Sequence, residues 1–465
     1  MSNPLFPARD ERVCWQNDLT TRLAQAEQRV ASGLVSPVFD KDAFKADLAR
    51  FTFAAPVALE ELLDWTIAHL ESGVVHMNHP RYLGLFNPAP SFPAQLADRI
   101  VASFNPQLAT ATTSPAAVEI EAHVTRAIAK RARMAAETVG HFTSGGSEAN
   151  YTAVICALTQ SNRDFADMGS RAFSGQPVFY ISEDSHLAWI KIAHQAGIGR
   201  AAAKLVPTDS TGRMSVDALE SAICADQRLG HQPFMVVATA GTTNAGMVDP
   251  LLACSEVARR HNLWYHVDAA WGGGAIASDR LKSLLVGIER ADSVTIDAHK
   301  WFATTMGCGM FLTAHPSVLS DTFNVMTSFM PSHTPSLDPY VTTAQWSRRF
   351  LGLRLFLALG AGGWGGYGAH VEQAVELGQG LADLLTQAGW RVVNEPRLAV
   401  VCALPPGGSA PVREVARRVV ASGGAWVSAA RLAGHDVLRA CVTNGETTPA
   451  DIACVAELLV KHSVM

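Results

Sequence analysis

The sequence predicts an α/β protein: a mainly parallel sheet covered by helices, preceded by an N-terminal helical arm and followed by a smaller α/β domain. Three observations predict it. Short apolar, β-branched runs recur at 177–182, 234–240, 263–268, 293–297 and 310–313 with helical spacers between them, the order expected of a sheet built from crossover units. Residues 9–73 alternate helical stretches with Pro and Gly breaks and contain no convincing strand. Beyond the glycine-rich stretch 360–368, helical and strand patterns alternate again.

The arm is expected to hold helices at 18–32, 41–50 and 58–71. The last of these cannot bury its apolar face within the arm alone, so it is expected to pack across a two-fold axis in a homodimer. The small domain is expected to contain a long helix at 370–389, strands at 391–394, 399–404 and 437–443, and helices at 412–422 and 449–462. The resulting division is 1–78 for the arm, 79–361 for the large domain and 362–465 for the small one.

Composition narrows the class further. A chain of 465 residues with 48% hydrophobic and 17% charged residues can bury a large core, which excludes disorder as its dominant state. Lys and Arg (37) nearly balance Asp and Glu (42) with no basic block, so no nucleic-acid partner is expected. No basic-then-apolar leader and no long apolar span is present, so a soluble, cytoplasmic protein with no membrane partner is expected. The eight cysteines form no C-x-x-C pair and read as reduced, buried thiols. His76 and His79 share a loop with Asn and Pro and read as structural, so no metal is expected.

The residues that carry chemistry lie at strand ends. The segment 293–301 (SVTIDAHKW) ends an apolar strand and delivers His299 and Lys300 into a loop. A partly desolvated amine there has a lowered pKa and can act as a nucleophile or Schiff-base lysine; the alternative is a surface lysine at a strand terminus. In 266–274 (HVDAAWGGG), Asp268 closes a strand and is followed by small residues. Ligands of open α/β sheets bind at such carboxyl ends, where an ionised Asp holds a heteroaromatic nitrogen protonated and Ala269 and Ala270 leave room for a flat ring. The alternative is a helix-capping Asp. The turn in 141–150 (HFTSGGSEAN) leads into a helix near Ser147, and free amides at a helix N-terminus form an anion site suited to a phosphate ester; an ordinary capped loop is the alternative. The stretch 182–189 (SEDSHLAW) puts His186 just past a strand, and 239–246 (TAGTTNAG) opens a strand end into small polar residues.

Taken together, a phosphate cradle, an imidazole, a strand-end Thr pair, an Asp and a Lys in that order resemble the group II pyridoxal-phosphate-dependent amino-acid decarboxylases, relatives of the aromatic-amino-acid, glutamate and tyrosine enzymes. The likeness spans nearly the whole chain, from HPRY at 79–82 and SPAAVEIE at 114–121 through the motifs above to WSRRF at 346–350 and LRAC at 438–441. It implies the pyridoxal-phosphate transferase fold of type I, with a seven-stranded, mainly parallel sheet. It also implies that Lys300 bonds the cofactor, that Asp268 pairs with its ring nitrogen, and that His186 stacks on the ring and aligns the substrate carboxylate. Gly146 and Ser147, with Ser293 and His299, would hold the phosphate, and Thr243 would contact the ring.

Two departures bear on the reaction. In the family a mobile loop after the lysine carries a tyrosine that returns a proton to the substrate carbon, and an ungapped match from Lys300 puts Phe329 there. A phenyl ring has no proton to give. Either His333, Tyr340 or water supplies it, giving an amine, or oxygen intervenes and the outcome is an aldehyde, ammonia and peroxide, as in relatives with phenylalanine at this place; a shifted register would make Phe329 an ordinary lid residue. The expected substrate walls are Tyr82, Leu85, Phe86 and Trp271, with Leu108 and Ala109 contributed from the neighbouring subunit, and they do not specify a substrate. Arg81, Arg348 and Arg349 could meet a second carboxylate or form structural ion pairs. Arg439 keeps an aminotransferase reading open.

Overall fold

The computed structural model describes residues 5–325 and 338–464. Phe329 and His333 lie outside them.

The arm comprises α1 (Arg9–Ser32), α2 (Lys41–Leu48) and α3 (Leu59–Gly73). Asp40 caps α2 by accepting from the amides of Asp42 and Ala43. Helices α4 (Phe92–Phe104) and α5 (Pro115–Arg131) lead into the large sheet, built from β1 (Val139–Thr143), β2 (Pro177–Ser182), β3 (Ala203–Val206), β4 (Gln232–Thr239), β5 (Trp264–Asp268), β6 (Ser293–Asp297) and β7 (Gly309–Thr313). Between them run α6 (Gly146–Ser161), α7 (Phe165–Met168), α8 (Ala188–Gln195), α9 (Val216–Arg228) and α10 (Leu251–Arg260). The seven strands lie in the order β1-β7-β6-β5-β4-β2-β3. All neighbours are parallel except β7, which runs antiparallel to both β1 and β6.

After α11 (Pro316–Phe323) comes α12 (Gly352–Gln387), then β8 (Arg391–Val392), β9 (Val400–Leu404), α13 (Val412–Ala421), β10 (Ser428–Leu432), β11 (His435–Cys441) and α14 (Pro449–Ser463). These four strands form a separate antiparallel sheet in the order β10-β11-β9-β8. The expected boundary at 361/362 falls inside α12, beside Gly363, whose φ of +59° kinks the helix. α14 opens with a reciprocal cap between Thr448 and Asp451.

Alternation along the strands sorts side chains onto two faces. Val178, Tyr180, Val236, Ala238, Tyr265, Val267, Val294 and Ile296 enter the larger core, shared with α12 and the small sheet. Phe179, Ile181, Met235, Val237 and Trp264 face a second core with α6 and α8. The same period places Thr239, Asp268 and Asp297, the last residues of β4, β5 and β6, on the α6 side.

The eight cysteines are all free, but Cys14 is exposed and Cys224 and Cys454 are half-buried, which corrects the expectation that all are buried. Among the described residues no helix is long and apolar enough to cross a membrane, and no group of three or more His, Cys, Asp or Glu could hold a metal ion.

Candidate active site

A cavity of about 350 Å³ opens where β4, β5 and β6 end and α6 begins, lined by Phe86, Gly145, Gly146, Ser147, His186, Thr243, Asp268, Trp271, His299 and Lys300 among others. A larger surface groove lies along Met247–Leu252, and none of His186, Asp268, His299 or Lys300 lines it.

Asp268 forms the polar floor and is 5% exposed. Its Oδ2 accepts from Asn150 Nδ2 at 2.9 Å and Trp189 Nε1 at 3.2 Å, and its Oδ1 from the Ala270 amide at 3.2 Å. A buried carboxylate needs such donors to remain charged. Lys300 follows β6 in a turn in which its amide donates to Asp297 O. The ammonium nitrogen lies 3.1 Å from Asp297 Oδ2 and 5.8 Å from the Phe86 ring centre. Phe86 in turn stacks on Trp271 at 4.2 Å, and Trp271 on Trp301 at 4.5 Å, so an aromatic wall stands beside the amine.

Opposite lies the turn before α6. Gly145 has a φ of +154°, which suits glycine. Gly145 O accepts from the amides of Glu148 and Ala149, while those of Gly146 and Ser147, the first two of α6, precede the helix's own hydrogen-bond ladder and are left as donors with the helix dipole behind them. A Cβ at Gly146 would sit 2.9 Å from Asp297 Oδ2, and one at Gly309 would meet Thr143 Oγ1, the Gly145 carbonyl carbon and Asp297 Oδ1 within 2.8 Å. The glycines thus let three segments converge. Glu148 also lines this space, but its carboxylate is engaged by the Ser144 amide and hydroxyl and by Gln345.

His186 stands exposed just before α8, its Nδ1 accepting from the Ala188 amide at 3.1 Å. His299 is buried against the Cys308 backbone. Thr243 reaches the cavity while its carbonyl accepts from Arg439 Nε.

Other expected residues lie elsewhere. Ser293 starts β6, at the opposite end from the cavity, and its hydroxyl is bonded to Trp264 and His266; it is not a phosphate ligand. Four residue-to-residue steps of about 3.3 Å each separate it from Asp297. Tyr82 is 1% exposed, packed on Trp426, and its hydroxyl accepts from the Leu85 amide. Leu85 points to solvent at 45% exposure. Leu108 and Ala109 are buried within their own chain, against α4 and α12 and against Tyr340 respectively, and have no surface to offer a neighbouring subunit. None of these four lines the cavity; Phe86 and Trp271 do. Tyr340 also stays outside it, buried beside Val341. Arg348 forms a buried ion pair with Glu121 at 2.7 Å, Arg81 reaches Cys454 Sγ, and Arg349 is exposed. Arg439 donates to the carbonyls of Thr243 and Gly84 and covers Phe86 from 4.7 Å, so its guanidinium is held by the backbone outside the cavity. Sequence reasoning gave no role to Asn150, Trp189 or Asp297, although Asp297, like Asp268, closes a β-branched run.

A family model described as the pyridoxal-dependent decarboxylase conserved domain matches residues 53–403. The chain belongs to the pyridoxal-dependent decarboxylase family. Members are carboxy-lyases that use pyridoxal phosphate, and this chain is such an enzyme. It is 27% identical over 433 residues to an aromatic-L-amino-acid decarboxylase of Bacillus atrophaeus, covering 90% of this chain and 88% of that one. It is 29% identical over 371 residues to an aspartate 1-decarboxylase of Aliivibrio fischeri, covering 75% and 68%. The crystal structure of mouse CSAD superposes with a TM-score of 0.93 at 26% identity, covering 98% of this chain and all of that chain. These relatives carry names with aromatic and acidic substrates alike.

The decarboxylase cofactor fits the residues present. A buried carboxylate in the cavity lining, a primary amine just past a strand end, and an anion cradle of glycines at a helix start match its pyridine nitrogen, aldehyde and phosphate in turn. Asp297 Oδ1 is buried with no partner among the described residues, so the site holds acceptor capacity that its own side chains leave unused.

Proposed function

We propose that the chain removes the α-carboxylate of an L-amino acid as carbon dioxide and releases the corresponding amine. The observation that carries this reading is that Asp268, at the end of β5, and Lys300, in the turn after β6, line one cavity with the N-terminus of α6. Bound pyridoxal phosphate supplies an electron-accepting ring for the pair left when the carbon–carbon bond breaks. Lys300 Nζ would hold the aldehyde end of the cofactor, where a primary amine supplies the nucleophile. Asp268 would accept from the ring nitrogen and favour its protonated form, Gly146 and Ser147 would hold the phosphate with His299 alongside, and Thr243 would border the ring. His186, at the open side, would cover the cofactor and orient the substrate carboxylate; Phe86 and Trp271 would exclude water from the wall beside Lys300.

A homodimer suits this chain. On α4, Phe92, Leu96, Ile100 and Phe104 recur every four residues and are 68%, 37%, 42% and 80% exposed, an apolar stripe of the kind that a second copy covers. Eight free thiols favour a reducing, cytoplasmic setting.

One sequence observation favours a second outcome: Phe329 stands where a proton-donating tyrosine is expected. The test is to incubate cofactor-loaded protein with pooled L-amino acids and to follow carbon dioxide, amine, dioxygen and ammonia together. Carbon dioxide with amine and no oxygen uptake is the expected result. Equimolar oxygen uptake with ammonia and aldehyde would replace it by oxidative decarboxylation, and the absence of carbon dioxide would overturn both.

A further inference from the structure

Beneath Asp268, on the face of the sheet covered by α6, five side chains form a continuous polar line through an otherwise apolar core. Trp264 Nε1 donates to Ser293 Oγ at 2.8 Å, and Ser293 Oγ lies 2.8 Å from His266 Nδ1. His266 Nε2 is 3.2 Å from Asn150 Oδ1, and Asn150 Nδ2 is 2.9 Å from Asp268 Oδ2. None of the five is more than 6% exposed. The line exists because β5 turns residues 264, 266 and 268 to one face, the parallel register sets Ser293 beside His266, and Asn150 lies one turn into α6.

Its two ends fix its direction. An indole can only donate and a carboxylate can only accept. Asn150 must therefore turn its NH₂ to Asp268 and its oxygen to His266, which requires the proton of His266 on Nε2. A neutral imidazole so protonated has a lone pair on Nδ1, which must accept from the Ser293 hydroxyl. Burial lowers the His266 pKa to about 4, in keeping with a neutral ring. Every proton in the line points toward Asp268, and Trp189 donates to the same oxygen from α8.

We infer that Asn150, His266 and Ser293 are positioning residues: a one-way hydrogen-bond relay that locks the orientation of the Asp268 carboxylate and keeps it an acceptor for the ring nitrogen of the cofactor. The residue mistaken for a phosphate ligand thus serves the opposite end of the same ring. The inference rests on the proposed pairing of Asp268 with that nitrogen.

The test compares holoenzymes carrying Ser293→Ala, His266→Phe and His266→Gln with the unsubstituted enzyme and with Asp268→Asn. Ser293→Ala leaves His266 Nδ1 without its donor, and His266→Phe removes the donor to Asn150 Oδ1. Both are expected to shift the visible cofactor band, to weaken cofactor retention, and to lower kcat on the order of 10- to 100-fold with KM for the amino acid changed less than twofold, the size seen when partners that orient a metal ligand are removed. His266→Gln, whose amide can donate to Asn150, is expected to recover most of the loss. Independently of activity, nitrogen NMR of the unsubstituted apoenzyme should show His266 as the Nε2–H tautomer. An Nδ1–H tautomer overturns the relay, as does an unchanged band and kcat in both relay variants while Asp268→Asn is inactive. If Asp268→Asn itself keeps band and activity, the proposed site reading fails instead.

Discussion

Two buried imidazoles make the protein's response to acid a residue-scale question. Burial holds His266 near a pKa of about 4; for His141, burial first and the Arg348 charge second hold it near about 3. An unfolded imidazole titrates near 6.5. Below about pH 6.5 the unfolded chain therefore binds more protons than the native one, and stability falls with pH until the folded values are reached. We predict that His141→Leu shows a smaller drop in Tm between pH 6.5 and 4.5 than the unsubstituted protein; equal drops in a pair of thermal melts would contradict this. At this scale the sequence was legible where chemistry coincides with a strand's last residue, as for Asp268, or the turn just beyond it, as for Lys300. Ser293 was placed at the phosphate by the resemblance, whereas the extended strand that it begins carries it to the far end of β6 from Lys300. Asn150 and Trp189 were silent because their partners lie more than 70 residues away in the chain.

At the scale of elements, the site depends on close approach between backbones. A Cβ on Gly272 would lie 2.3 Å from the Ala240 carbonyl oxygen, to which the Gly272 amide donates. The turn after β5 thus docks directly on the end of β4, and the run 272–274 matters for packing. Gly272→Ala is expected to cost about 1–3 kcal/mol, as overpacking does, seen as a lower denaturation midpoint; an unchanged midpoint would show that the turn can move without penalty. Strands with dense β-branched runs, β2, β4, β5 and β6, were readable in advance. β1 (VGHFT), β3 (AKLV) and β10 (SAARL) were not, since Gly, Ala, Lys and Arg dilute the signal and only their sheet neighbours make them strands.

For the whole molecule, the arm and α4 carry apolar side chains that the described chain leaves uncovered. Replacing Ile100 and Phe104 together by Asp places two charges in the α4 stripe. Sedimentation should then show a monomer where the unsubstituted protein gives a dimer, and an unshifted dimer would assign the interface to another face. The layered plan of arm, large sheet and small sheet follows from hydrophobic periodicity; the antiparallel course of β7 does not, because strand direction is set by connections that leave no trace in residue type.

The central claim is that Lys300 is the amine that holds the cofactor. Borohydride reduction of the pyridoxal-phosphate-loaded protein, followed by peptide mass mapping, tests it directly. The account predicts the added pyridoxyl mass on the peptide containing Lys300 and its loss in Lys300→Ala. A label on a different lysine, or a protein that takes up no cofactor, would contradict it.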